Sequence, residues 1–255
     1  MIYPTYAFDA VMRIVTWNVQ RRKKMAEHWK LLNEQLNPDI IVLQEFNTDI
    51  SPPPRQSEAL ETSIDSKDLT VVWDSVPVWG TALLSHPFPL KPLELKESTF
   101  SHDNTEEHYT GRIVAASTEF KGISIDIFGF HVPITGNWSR FNLAKMTSIA
   151  ENSQISDEMI ILGDFNFGDT FDKDGETDNS DYFSKILKER SLVDAYKRYN
   201  KAHSHTFRSV RNKKYKHHLD HILVSEGLSA RLKNCDVFPT PWELSDHRLV
   251  FADFE

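Results

Sequence analysis

Residues 13–45, RIVTWNVQRRKKMAEHWKLLNEQLNPDIIVLQE, read as strand, helix, strand. The first part, Arg13 to Val19, is rich in β-branched and aromatic residues, the composition of a strand. Met25, His28, Trp29, Leu32 and Leu36 then recur at helical spacing, which predicts a helix over Met25 to Leu36. Asn37-Pro38-Asp39 stops that helix, and Ile40 to Leu43 is a short buried strand that runs into Gln44-Glu45. Each strand therefore ends in polar residues, Asn18 after the first and Glu45 after the second.

Outward from this unit, strand-like runs recur at Leu69 to Val76, Val78 to Ser85, Arg112 to Phe120 and Ile123 to His131, punctuated by Gly80, Pro87 and Gly122. A Pro-rich loop at Ser51 to Pro54 precedes them. Strands without helices between them predict an antiparallel or mixed sheet. Ser139 to Asn152 follows as an amphipathic helix with Phe141, Leu143, Met146 and Ile149 on its apolar face. Met159 to Leu162 is a buried strand, Tyr182 to Glu189 a helix, and strands lie near Leu219 to Val224, Leu228 to Phe238 and Leu249 to Phe254. No repeat or domain-separating linker interrupts them. The expected fold is one α/β domain over 13–255, behind an N-terminal extension of residues 1–12. It is a four-layer α/β/β/α sandwich, with two mixed sheets packed face to face and helices outside. The sheets have to pack together because many of these strands are apolar on both faces.

Composition narrows the class. The 255 residues are 40% hydrophobic and 26% charged, as in soluble globular proteins. A single cysteine, Cys235, excludes an internal disulfide and offers no zinc pattern. No run approaches the roughly 18 apolar residues that span a bilayer, and no exposed apolar hairpin or surface-seeking helix points to a membrane. A cytoplasmic location is expected, and nothing marks an obligate protein partner. The net charge of −8 argues against a surface that grips nucleic acid everywhere, but not against a local basic site.

Polar residues gather at strand ends: Asn18, Glu45, His131, Asp164 with Asn166, and Asp220, with Asp246-His247 just before the last strand. Loops at strand ends build sites on a rigid base. Carboxylates collected there repel one another unless a cation is present, and hard oxygen ligands favour Mg²⁺ or Mn²⁺ over zinc. Each has a plainer reading. Asp and Asn after a strand are commonly turn residues, and a histidine in an apolar strand is more often a core residue with its hydrogen bonds satisfied.

The ordered series WNV (Trp17 to Val19), QE (Gln44-Glu45), LLSHP (Leu83 to Pro87), GR (Gly111-Arg112), HVP (His131 to Pro133), GDFN (Gly163 to Asn166), LDHIL (Leu219 to Leu223) and SDH (Ser245 to His247) outweighs those readings. It resembles the endonuclease/exonuclease/phosphatase superfamily over about Arg13 to Glu255. The resemblance implies a Mg²⁺- or Mn²⁺-dependent hydrolase of phosphodiester bonds. Glu45 would be the principal metal ligand, supported by Asn18 and Asp246. Asp164 would orient and deprotonate the attacking water, and Asn166 would hold that water or a phosphate oxygen. Asp220 would orient His247 and favour its imidazolium form, which stabilises charge growing on the phosphoryl oxygens. His131 would be a phosphate ligand or the acid that protonates the leaving oxygen. Abasic-site endonucleases of this superfamily usually carry tyrosine where this chain has His131. Leu219-Asp220-His221 likewise has histidine where many members have tyrosine.

Between Arg208 and His218, RSVRNKKYKHH holds five Lys or Arg and no acid, with Tyr215 interleaved. Such a loop can grip phosphates while its rings stack on unpaired bases; as a plain alternative it is a solvated hairpin tip. His205-Thr206-Phe207 before it resembles the Thr-aromatic segment of nuclease members. Tyr109, Arg112, Arg208, Arg211, Lys213 and Lys214 are thus the candidate substrate contacts. Nucleic acid, DNA or RNA, is the expected substrate; a small phosphoester or a phospholipid of the sphingomyelin type is the alternative. The acidic run Asp169 to Asp181 fails the EF-hand pattern, because Gly175 is the fourth residue from Asp172 rather than the sixth. It reads as a flexible surface loop.

Overall fold

The computed structural model describes residues 11–21, 25–47, 70–76, 79–96, 112–133, 139–167, 178–200 and 204–255. The expected extension (apart from Val11 and Met12), the Pro-rich loop, Tyr109, Gly111 and most of the acidic run lie outside them. Strands β1 (Met12–Asn18) and β2 (Ile40–Asn47) flank helix α1 (Ala26–Leu31). The predicted helix to Leu36 is continuous, but its last five residues, Leu32–Leu36, wind as a π-turn. Asn37 closes it in the left-handed region at φ 44, and its N–H reaches back to the Leu32 carbonyl at 2.7 Å. Asparagine tolerates that conformation, and Pro38 cannot extend the helix.

One six-stranded sheet orders β13-β14-β1-β2-β4-β3, where β3 is Thr70–Val76, β4 Trp79–Ser85, β13 Leu232–Val237 and β14 Val250–Phe254. The second orders β5-β6-β7-β8-β12-β9: Lys91–Pro92, Ile113–Phe120, Ile123–His131, Glu158–Asp164, Asp220–Ser225 and Leu192–Asp194. Each sheet has one parallel pair at its centre, β1 with β2 and β7 with β8. The second pair is bridged by helix α2 (Ser139–Ser153), as a parallel connection requires a crossover. Helix α3 (Asp178–Glu189) follows β8, and helix α4 (Ala195–Tyr199) is capped by Asp194, whose carboxylate accepts from the N–H groups of Tyr196 and Lys197. The strand expected from Leu228 starts at Leu232, because Glu226–Ser229 forms one turn of helix, α5, that buries Leu228.

Alternation along the strands makes the layers. Ile14, Val42, Leu83, Ile127, Leu162, Ile222 and Ala252 fill the space between the sheets. Val15, Trp17, Ile41 and Leu43 face outward onto Trp29, Leu32 and Leu36 of the first helical unit. Phe128, Phe130 and Ile161 face outward onto Leu143, Met146 and Ile149 of α2 and Phe183 of α3. This is the α/β/β/α sandwich: α1 lies on one outer face and α2 with α3 on the other, while Ala195 and Tyr196 of α4 and Leu228 of α5 join the cluster between the sheets.

Two glycines set close approaches. A Cβ on Gly129 of β7 would stand 2.6 Å from Val42 Cγ1 of the facing sheet. Gly163, at φ 150, would put a Cβ 1.9 Å from the Phe130 carbonyl oxygen of the neighbouring strand. Neither backbone can yield cheaply there, so Gly163→Ala is expected to cost about 3 kcal/mol or more. For a chain of this size that lowers Tm by about 6–12 °C, and a melt within 2 °C of the parent would contradict it.

Candidate active site

Parallel pairing puts the carboxyl ends of β1 and β2 on one edge, and the same holds for β7 and β8 in the other sheet. Asn18 and Glu45 thus come from one sheet, His131 and Asp164 from the other. Antiparallel β12 starts where β8 ends, so Asp220 pairs with Asp164. Antiparallel β14 starts beside the end of β1, which brings Asp246 and His247 to the same edge.

Asp164 is the hub. Its Oδ2 accepts from Asn18 Nδ2 at 2.9 Å, and its Oδ1 accepts from the Asn166 backbone N–H at 2.9 Å. Asn166 is held at φ 47, and its amide also donates to the Val132 carbonyl at 2.9 Å. Burial, opposed by His247 and reinforced by Asp220, pushes the Asp164 carboxyl up to about 7. His247 Nδ1 donates to Asp220 Oδ2 at 2.9 Å, while its Nε2 lies 3.7 Å from Asp164 Oδ2. Burial alone would lower the His247 pKa, but Asp220 and Asp164 outweigh it and raise the ring to about 10, so it is imidazolium at neutral pH. Its frame is rigid: the His247 N–H donates to Ser245 Oγ, which donates to the Asn18 carbonyl at 2.6 Å. Trp17 Nε1 donates to the His247 carbonyl. Thr206 Oγ1 accepts from the N–H groups of Leu219 and Asp220, fixing the strand entry that carries the carboxylate.

His131 is a different kind of histidine. Arg112 Nη1 lies 3.0 Å from its Nδ1 and 3.4 Å from its Nε2. A guanidinium only donates, so the shorter contact makes Nδ1 the acceptor and leaves the proton on Nε2. Burial, with Arg112 and His247 nearby, holds the ring well below its usual range and neutral. Its Nε2–H is 3.7 Å from Glu45 Oε1 and 3.9 Å from Asp164 Oδ2. With a neutral ring these contacts are not ion pairs.

Glu45 sits in a β-bulge. The β2–β4 register slips between Leu43 and Phe46, and Glu45 adopts φ 51. Bulges re-aim a side chain, and here the carboxylate turns to the site edge. Asn18 Nδ2 is 3.5 Å from Glu45 Oε1, and Arg21 Nε is 3.2 Å from Glu45 Oε2. Asp246 is raised above the usual carboxylate range, first by burial and then, against the pull of His247, by Glu45. The two carboxylates within electrostatic reach, Glu45 and Asp246, offer hard oxygen donors suited to a divalent cation, while Asn18 turns its Nδ2 to Glu45 and its Oδ1 to the Gln20 N–H. Asp164, Asp220 and His247 also offer ligand atoms within 4.8 Å of one another and could hold a metal.

Of the basic candidates, Arg112 stands beside His131 and stacks on Trp79 at 4.3 Å. Arg208 ends β10 (Phe207–Arg208), which pairs with β11 (Lys216–His217) as a separate two-stranded ribbon. The Phe207 ring lies 5.0 Å from that of His247, so the base of this ribbon touches the site. Arg211, Lys213 and Lys214 are exposed at its tip. No hydrogen bond or ion pair among the described residues joins them to the carboxylates. Trp79, Arg21, Thr206 and Ser245 were not among the expected site residues. Only Ser245 and Thr206 carried a signal, through SDH and the Thr-aromatic pair.

The sequence matches the Endonuclease/Exonuclease/phosphatase family over residues 15–247, and the chain belongs to that family. Phosphoester hydrolysis is therefore its class of activity. Among solved structures it resembles the 3′ phosphatase NExo from Neisseria bound to product DNA hairpin. The TM-score is 0.72 at 20% identity, covering 96% of this chain and 99% of that one. An AP endonuclease from Archaeoglobus fulgidus gives 0.70 at 19% identity, covering 96% and 99%. A family protein from Leptotrichia buccalis gives 0.72 at 20%, with the same coverage. At these identities the likeness concerns the fold. No functionally curated sequence matches.

Proposed function

We propose that residues 13–255 form the catalytic domain of a Mg²⁺-dependent nuclease that hydrolyses phosphodiester bonds of DNA or RNA by attack of water. The observation that carries the reading is the joining of both sheet edges through Asp164. Its carboxylate, hydrogen-bonded to Asn18 and Asn166, faces an imidazolium on one side and a neutral imidazole N–H on the other. Asp164 takes the proton from water, and Asn166 positions that water. Imidazolium at His247, kept charged by Asp220, stabilises the oxygens that gain charge. His131 donates its Nε2–H to a phosphate oxygen; its neutrality favours this role over that of a proton-donating acid. Glu45, Asn18 and Asp246 would hold the cation, which supplies Lewis-acid charge neutralisation at the phosphate when bound. The nucleic-acid choice rests on the ribbon that follows Thr206, whose exposed Arg211, Lys213 and Lys214 extend from a base in contact with His247. The neighbours named above include a 3′ phosphatase and an AP endonuclease, which supports the same class. Among the described residues no helix is long and apolar enough to cross a membrane, and one unpaired cysteine suits the reducing cytoplasm.

The test is one preparation with Mg²⁺ given single-stranded DNA, duplex DNA, RNA, sphingomyelin and inositol phosphates in parallel. Cleavage of a nucleic acid is expected. Turnover of sphingomyelin or an inositol phosphate with every polynucleotide left intact would replace the nuclease reading by the phosphatase or lipid alternative.

A further inference from the structure

Beside the catalytic histidine lies a group that the mechanism does not use. Arg208 and Arg248 each place a guanidinium 4.5 Å from the centre of the Trp242 ring. Their backbones are fixed by the bridge between Phe207 and His247: the Arg208 N–H donates to the Asp246 carbonyl at 2.9 Å, and the Arg248 N–H to the Thr206 carbonyl at 2.6 Å. Among the described residues neither guanidinium pairs with a carboxylate, and Arg248 Nε is buried without a hydrogen-bond partner. Burial and then Arg208 lower the Arg248 pKa, so the two cations are close enough to repel. Two like charges held together on one ring, one residue from Phe207 and from His247, are an arrangement that an anion would relieve.

We propose that Arg208, Trp242 and Arg248 form a subsite for a backbone phosphate of a polynucleotide, next to the phosphate that is cleaved. This rests on the nuclease reading. Guanidinia fit phosphate oxygens with paired N–H donors. The ring already carries two cations, so its part is to hold the arginines in place rather than to stack on a base. The two roles separate experimentally: the arginines supply charge, and Trp242 supplies order.

Equilibrium binding of a fluorescein-labelled single-stranded oligonucleotide is measured in EDTA across several salt concentrations. Arg248→Ala is expected to weaken binding about tenfold or more and to reduce the salt slope by about 0.7, the value of one single-strand phosphate contact. Arg248→Lys keeps the slope. Trp242→Leu weakens binding while leaving the slope at the parental value, because no charge is lost. Thermal melts report whether each variant folds, and Arg208→Ala provides a second charge deletion should Arg248→Ala unfold. Parental affinity and slope in a folded Arg248→Ala or Arg208→Ala overturn the subsite, and a parental affinity in Trp242→Leu overturns the ordering role. Oligonucleotide binding that depends on Arg248, with no cleavage on adding Mg²⁺, removes the nuclease reading and keeps the subsite. Cleavage with binding indifferent to both arginines does the reverse.

Discussion

Asp220→Asn is expected to slow turnover by about 10²- to 10⁴-fold, the range of a lost general acid–base or charge-stabilising group. The native carboxylate accepts the Nδ1–H of His247 and, together with Asp164, outweighs the burial that would otherwise discharge the ring. An asparagine offers no charge, and its amide can turn an N–H toward Nδ1, which imposes the wrong tautomer. The His247 pKa should therefore fall from about 10 towards or below its ordinary value, and the alkaline limb of the rate profile should fall with it. Stability follows with a defined sign. The folded-state pKa is raised above the unfolded value of about 6.5, so the pair's contribution is fully present below that pH and is lost as pH rises through about 10. The stability gap between parent and variant should be widest in acid and close by pH 10. An NMR titration in which both proteins show the same histidine pKa would refute the pairing as the cause.

The second large effect belongs to Glu45. Glu45→Gly should remove activity by more than about 100-fold at limiting Mg²⁺, beyond what losing an outer-shell partner of a metal ligand costs. EDTA should abolish activity of the parent. The same change should leave the melting temperature unchanged or raise it. Glu45 is held at φ 51, a region that costs an L-residue about 1–2 kcal/mol and costs glycine nothing. It also crowds Asp246. Full turnover in EDTA, or in Glu45→Gly, would dismiss the cation site.

The layers were legible because their signals are periodic. Trp29, Leu32 and Leu36 mark a helix, and the apolar runs at Ile40 and Met159 mark strands buried on both faces. The site was legible as an ordered set of motifs, not as geometry. Nothing in QE announces the bulge that turns Glu45, since a bulge is a property of the pairing between β2 and β4 rather than of either strand. The imidazolium at His247 was expected from the resemblance, but the neutral state of His131 was hidden, because the Arg112 beside its ring is supplied by a tertiary contact. The tertiary role of Trp242 was equally silent, because a tryptophan in a loop gives no sign of which cations will flank it.

The two ends of the described chain meet in one sheet. β14 is hydrogen-bonded to β1 from Met12 against Phe254 to Thr16 against Val250. During synthesis the first strand leaves the ribosome more than 230 residues before its neighbour, and until then it has an open edge on that side. The loop that precedes β14 also brings the imidazolium and the serine that braces it, His247 and Ser245. A growing chain can thus complete the second sheet, with Asp164 and His131 in place, while still lacking His247 and the serine that braces it. On the proposed mechanism, hydrolytic competence therefore waits for β14 and the loop that precedes it.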